Sequence, residues 1–503
     1  MAVSRLTLVT TGMNIPRVEY SRSSSARPAP PTAGLIDLRT ALGDRAVVTD
    51  AALDGTGHDA GPLSTRVTMP GRPDHRADIV VRPADPAHIP TVLAIAARHG
   101  LSVTPSGLGS PATGQPLPAC GGIVLDLSGL PRRWEIDPVD MTVTVTAGVN
   151  GGDLEDDLAA QGWTLGHSPR SLYRSSIGGW LATLSTGQFS SRYGGIEDLV
   201  VEYRVVLATG QTIRLTGVPR AAMGPDLRQV FLGSEGTLGI VTEVVLKIFP
   251  VPEAELLQAF SIPSVPAGLE VLRAQAAAGL RPFLLRLYDA DEARHVVPGA
   301  DGPVLFAGSR GLRAVADAEL AALGELAGLH GAAPLGAEPV RRWMARRFDP
   351  AAAPNRPATP GGYAERIEIA HGWRDIGRTH TAMTTALAPL ADEVLAHFSH
   401  VHDQGASMSV ILFGQAADDE AAAHRSRDIW ATAMRVALDT GAVLSHRAGP
   451  ARSPSAREAL GDAHLVLRRI KDALDPGHLL NPGALGLPAE GPRVHDRTDM
   501  RHP

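Results

Sequence analysis

Residues 233–250 read GSEGTLGIVTEVVLKIFP. Three glycines within seven residues stand directly before a run rich in Val and Ile that closes on prolines. Branched side chains at that density predict a strand. Glycines crowded at its start predict a backbone that approaches a ligand closely. The stretch therefore reads as one wall of a binding site fused to a strand, with a domain boundary at 250–253.

Working toward the N-terminus, LVVEYRVVLATGQTIRL reads as a β-hairpin turning at Thr209-Gly210. Before it, residues 166–187 (GHSPRSLYRSSIGGWLATLSTG) concentrate Ser, Thr, Gly and Arg. Small polar residues there let a planar ligand reach the backbone; a loop laid over a core satisfies the same composition. MTVTVTAGV alternates Thr and Val, the period of a half-buried strand. Further back, PSGLGS (105–110) follows the apolar strand LSVTP. Its glycines allow positive φ and converging N–H groups, a nest for phosphate; taken alone, the segment is more simply an ordinary glycine turn. Upstream lie the strand DIVVRP and a helix signalled by Asp85-Pro86, by Ile89, Val92, Leu93 and Ala96, and by a stop at Gly100. Pro90 predicts that the regular helix begins about a turn after Pro86.

Beyond residue 253 strand and helix signals alternate. Strands are expected at 257–262, 283–288, 304–307, 366–370, 393–402 and 407–413, and helices at 267–278, 312–328, 377–387 and 418–439. This pattern suits an antiparallel sheet covered by helices on one side. Residues 1–34 are rich in Ser, Pro and Arg and read as a disordered leader; 487–503 read as a loose tail.

Among 503 residues the formal net charge is −6, without basic blocks, which argues against a nucleic-acid or polybasic membrane role. Lys247 and Lys471 are the only lysines, and the lone Cys120 has no internal disulfide partner. No apolar run is long enough to span a bilayer as a helix. These features together predict a cytoplasmic protein acting on a small molecule, with no nucleic acid and no integral membrane segment; a homodimer is left open.

The three segments, together with SIGGWLAT, GGIEDLV, GPDLRQVFLGSEGTLGIVTEV and the closing LDPGHLLNPG, resemble the p-cresol methylhydroxylase-type (PCMH-type) FAD-binding proteins of the vanillyl-alcohol oxidase family. The resemblance is strongest to the branch of alkyldihydroxyacetonephosphate synthases and FAD-linked oxidases. It implies an α+β fold: a two-subdomain FAD-binding domain over 35–252, then an α+β cap, the FAD-linked oxidase C-terminal domain, over 253–486.

The resemblance also implies FAD contacts. The first loop contributes Pro105, Ser106, Gly107, Leu108, Gly109, Ser110 and Pro111. The second stretch contributes Pro169, Arg170, Ser171, Leu172, Tyr173, Arg174 and Ser175, then Ala182, Thr183, Leu184 and Ser185. The third contributes Glu235, Gly236, Thr237, Leu238, Gly239, Ile240 and Val241. Leu108 and Pro111 depart from the family's glycine and serine, which weakens the phosphate loop. No histidine stands in the first loop and Cys120 reads as core filler, so non-covalent FAD is expected, and no metal.

The catalytic pattern is broken. The ether-lipid synthases carry an active-site tyrosine where this chain has Ser409. Of their three-histidine run only His446 remains, followed by Arg447. Their phosphate-binding arginine aligns with Pro354, near Arg356, while another site arginine is kept as Arg286. His446 stands as a candidate base, and equally as a polar residue bonded to a carbonyl. His400 and His402 alternate with Val401 and are expected on one face. These departures favour an FAD-dependent oxidoreductase acting on a small organic substrate between flavin and cap. The other two readings are a synthase-like ether-forming transferase and a non-catalytic flavin-binding protein.

Overall fold

The structure, a computed structural model, describes residues 32–49, 53, 56, 60, 76–217, 223–349, 359–445 and 455–488. Most of the stretch read as a leader lies outside these residues, as does the tail beyond 488. The helix Thr32–Leu42 takes in the last three residues of that leader.

The first sheet has four strands in the order Val47–Val48, Ile79–Val81, Ile123–Asp126, Val103–Ser106. The last three run parallel. Asp85 Oδ1 accepts from the Ala87 amide at 2.8 Å and opens a single 3₁₀ turn, Pro86–His88. The α-helix Ile89–His99 starts only after it. Pro90 dictates this, because a residue without an N–H is tolerated in a helix's first turn but not further in. Gly100 then ends the helix at φ 64°. Ile89, Val92, Leu93 and Ala96 are fully buried against the sheet.

The second sheet is antiparallel, in the order Trp134–Asp137, Thr142–Thr146, Ile240–Lys247, Val200–Val206, Thr212–Leu215. The Thr/Val alternation sends Val143 and Val145 into a core shared with Trp180, Tyr203 and Leu238. Val200–Val206 and Thr212–Leu215 form the hairpin about Gly210, at φ 83°.

Phe249–Pro250 still pairs with Trp163–Thr164, and Ala254 opens the third sheet. That sheet has eight strands, all antiparallel: Ala333–Gly336, Ala254–Ser261, Val304–Gly311, Leu284–Tyr288, Glu393–His402, Gly405–Gln415, Gly362–Gly372 and Val443–Leu444. The helices Val265–Ala277, Arg313–Leu329, Ile376–Leu387 and Asp419–Thr440 share one hydrophobic cluster with one face of it.

Cover on one face alone was the expectation, and it is incomplete. The short helices Ala290–Val296 and Glu338–Arg346 use Ala293 and Val340 to pack with Ala259, Tyr288 and Phe306 on the opposite face. Each buries too few apolar side chains to leave a readable period. The chain is thus a two-domain α+β protein, and its second domain presents a partly open sheet face to the first.

The described end of the chain returns to the beginning. The Val103 amide donates to the Leu479 carbonyl and the Asn481 amide to the Val103 carbonyl, both at 2.8 Å. Leu480 thereby continues the first sheet beyond its edge strand. No helix among the described residues is long and apolar enough to cross a membrane.

Candidate functional site

The three glycine- and serine-rich segments meet around one cavity in the first domain. Pro105 through Pro111 supply one wall; Ser171, Ser175, Ala182, Thr183 and Ser185 another; Glu235, Gly236, Gly239, Ile240 and Val241 the third. Main-chain hydrogen bonds tie the last two together: Gly233 N to Leu181 O and Glu235 N to Ala182 O, both 2.8 Å. Residues missing from the sequence reading also line it, including Ser176, Gly178, Gly179, Trp180, Thr113 and Gln115. The SIGGW stretch carried that signal.

Several expected residues stand elsewhere. Pro169 and Arg170 line a second cavity. Leu172 and Leu238 belong to the hydrophobic core, and Thr237 is buried with its hydroxyl donated to the Ser234 carbonyl at 2.7 Å. Tyr173, Arg174 and Leu184 face solvent. The ligand-facing positions within each segment are set by turns, which contiguous motif matching does not resolve.

The walls of the first cavity come together as bare main chain at two glycines. A Cβ at Gly107 would fall 2.2 Å from Ser176 Oγ, and one at Gly236 would fall 2.3 Å from Pro105 Cγ. Gly236 and Gly109 hold φ of 71° and 66°. Leu108, the departure from glycine, is absent from the residues with positive φ and is 39% exposed, so a branched residue stands there without strain. Neither histidine nor cysteine is among the described residues lining this cavity.

A network of buried groups braces the third segment from behind. Lys471 donates to the Thr237 and Leu480 carbonyls at 2.8 and 2.7 Å and to Asp475. Asp475 in turn accepts from the Leu479 and Leu480 amides at 2.9 and 2.8 Å. Burial pushes the Lys471 ammonium below the usual lysine range, and Asp475 opposes that shift.

The second cavity, about 380 Å³, lies between the first domain and the open face of the cap sheet. Ser171 lines both cavities. Its walls carry Arg170, Arg286, Arg342, Arg346, Arg347 and Arg366 against Glu292, Asp349 and Glu368, an excess of fixed positive charge. Arg286 Nη2 donates to His397 Nε2 at 2.6 Å, and His397 Nδ1 lies 2.7 Å from Glu292 Oε2. A guanidinium only donates, so His397 carries its proton on Nδ1 and gives it to Glu292. Burial, reinforced by Arg286 and Arg366, holds the imidazole well below its ordinary pKa and keeps it neutral.

Ser409 is 2% exposed and donates to Glu368 at 3.3 Å. His400 lines the cavity, whereas His402 is exposed, so strict alternation does not describe this strand. A bulge between Ser399 and Val401 re-aims His400, which sits at φ 50°. His400 Nδ1 shares a 2.8 Å hydrogen bond with Ser190 of the first domain, and Ser191 Oγ accepts from the Val401 amide at 3.3 Å. His446, Arg447, Pro354 and Arg356 lie outside the described residues. His397, Glu292, Tyr288 and Arg366 were not singled out from sequence; strand pairing assembles them.

Together the two α+β domains and the glycine-walled cavity define a class of FAD-binding protein. The family described as "FAD binding domain" matches residues 77–216, and "FAD linked oxidases, C-terminal domain" matches residues 251–485. The chain belongs to this FAD-linked oxidase family of PCMH-type flavoproteins. It is 37% identical over 219 residues to an alkyldihydroxyacetonephosphate synthase of Caenorhabditis elegans, covering 43% of this chain and 37% of that protein. It is 40% identical over 207 residues to the uncharacterized FAD-linked oxidoreductase YgcU of Escherichia coli, covering 41% of each. These matches span about two fifths of those relatives' length. Over 90% of this chain and 86% of the other, the fold is that of a solved alkyldihydroxyacetonephosphate synthase, with a TM-score of 0.75 at 24% identity.

Proposed function

We propose that the chain is an FAD-dependent oxidoreductase whose substrate is a small organic anion held in the arginine-lined cavity between the FAD-binding domain and the cap. The observation that carries this reading is the shared wall at Ser171, which places the positive cavity directly beside the dinucleotide cavity. Pro105–Pro111, then Ser171, Ser175, Ala182, Thr183 and Ser185, and then Glu235, Gly236, Gly239, Ile240 and Val241 hold the cofactor, without a covalent bond. Bound FAD supplies hydride- or electron-accepting chemistry. The protein's own part is to bind and orient the anion through Arg286 and its neighbours, and to exclude water beneath the cap. A cytoplasmic location belongs to the same reading, since the lone Cys120 needs no oxidising compartment.

Anaerobic addition of hydroxy acids, alcohols and amines to the yellow holoprotein tests it. Bleaching by an anionic compound is expected. Bleaching only by neutral or cationic compounds would remove the anion from the reading.

The likeness to alkyldihydroxyacetonephosphate synthases favours a second reading, a transferase that forms an ether bond. Ser409 counts against it, because the hydroxyl at that position is short, buried and bonded to Glu368. Incubation with acyl-dihydroxyacetone phosphate and labelled hexadecanol decides: no alkyl ether is expected, and flavin-dependent ether formation lost in His446→Ala would restore the transferase.

A further inference from the structure

On the cavity side of the cap sheet, four residues stand in one register row. Tyr288 is opposite His397, His397 opposite Ser409, and Ser409 opposite Glu368. Ser409 is bonded to Glu368, and His397 is held between Glu292 and Arg286. Tyr288 differs from its row. It is 1% exposed and lines the cavity, yet its hydroxyl has no hydrogen-bond partner among the described residues.

Arg286 precedes Tyr288 by two positions and so shares its face. Its guanidinium carbon lies 5.2 Å from the centre of the Tyr288 ring, close enough for its charge to act on the phenol. Among the described residues, Arg286 Nε is also buried without a partner. Two donors side by side without a protein partner, on the wall of a polar cavity, are left to bond whatever that cavity holds. Packing does not explain their retention: a phenylalanine at 288 would keep the edge contact with Phe306, whose ring centre is 5.1 Å away. The guanidinium is meanwhile locked at its other end by neutral His397, itself oriented by Glu292.

We infer that Tyr288 Oη and Arg286 Nε form a two-donor seat for an oxyanion of the substrate, a carboxylate or a phosphate, with His397 and Glu292 as positioning residues. The inference rests on the arginine-lined cavity being the substrate site. Burial pushes the phenol above its ordinary range, so it remains a donor at neutral pH. His397 acts through Arg286: its ring nitrogen fixes the guanidinium plane, so that Nε and Oη address one ligand.

Calorimetric titration of the holoprotein with oxalate and, separately, with inorganic phosphate tests the seat and distinguishes the two anions. Wild type is expected to bind one of them. Tyr288→Phe should bind it roughly tenfold or more weakly, the scale of one lost hydrogen bond to a charged group. Its FAD content should be unchanged, and its melting temperature without anion unchanged or higher, since an unpaired buried hydroxyl has gone. His397→Asn should weaken binding while Tyr288 is intact. If Tyr288→Phe binds as tightly as wild type while Arg286→Gln does not bind, the seat at Tyr288 is wrong and the anion cavity stands. If Tyr288→Phe melts several degrees lower with affinity retained, the phenol is structural. If wild type binds neither anion, both the seat and the anionic substrate fall.

Discussion

Asn481 donates from Nδ2 to the Glu235 carbonyl at 2.7 Å, joining residues 246 apart in the chain. Ten residues earlier, Lys471 grips the Thr237 carbonyl from the same side. The third glycine segment is therefore shaped by the last helix and the turn after it.

Lys471→Met should be strongly destabilising. Lys471 and Asp475 are each 1% exposed, so the substitution leaves a buried carboxylate unpaired, a loss on the order of 3–5 kcal/mol. The double variant Lys471→Met/Asp475→Asn removes that orphan charge and should lie closer to wild type than the sum of the two single variants. Urea unfolding of all four proteins reads the coupling directly; strict additivity would mean that the pair is not linked.

Gly236→Val should give protein without bound flavin. The substitution forces a β-branched residue to φ 71° and drives its Cβ into Pro105, 2.3 Å away. Both effects displace the first and third segments from each other. The ratio of flavin to protein absorbance after purification is the measurement, with circular dichroism to establish that the chain is folded. Flavin content equal to wild type would remove Gly236 from the cofactor wall.

Stability should fall on acidification partly through His397. Its folded pKa is depressed while the unfolded chain takes up this proton near 6.5. Between those two values the unfolded state binds more protons, so stability is full above pH 6.5 and declines below it, by at most about 1.4 kcal/mol per pH unit. Glu292, Asp289 and other buried groups add slopes of their own, so the comparison needed is with His397→Asn. That variant should show a shallower loss between pH 6.5 and 5; an identical slope would mean that the imidazole is protonated in the folded state.

Acid precipitation should leave all flavin in the supernatant. The described lining of the first cavity offers no imidazole or thiol for a covalent tether. Flavin fluorescence in the denatured pellet would contradict this.

The glycine segments were legible from sequence because a close backbone approach leaves no substitute for glycine at Gly107 or Gly236. Six cap strands and the four long helices were legible because each is long enough to show a period, whereas the short edge strands Ala333–Gly336 and Val443–Leu444 were not; residues 393–402 were expected as a strand and form one. The helices Ala290–Val296 and Glu338–Arg346 were not. The first has seven residues, and the second buries Val340 alone among three arginines. The polar groups of the second cavity escaped for another reason. Tyr288, His397 and Glu368 come together only through strand register, which depends on pairing between segments far apart in sequence. The bulge that turns His400 inward inserts one residue into the alternation and leaves no compositional mark.

The bridge from Leu480 to Val103 sets a direction of assembly opposed to the direction of synthesis. A nascent chain delivers the strand Val103–Ser106 early, but residues 479–481, which satisfy the main chain of Val103, leave the ribosome only after the whole cap has been made. Until then that strand is an open edge able to pair with another polypeptide. A message truncated anywhere within the cap thus yields more than a missing domain: it leaves an unsealed sheet in the part already made, a substrate for chaperones or for aggregation.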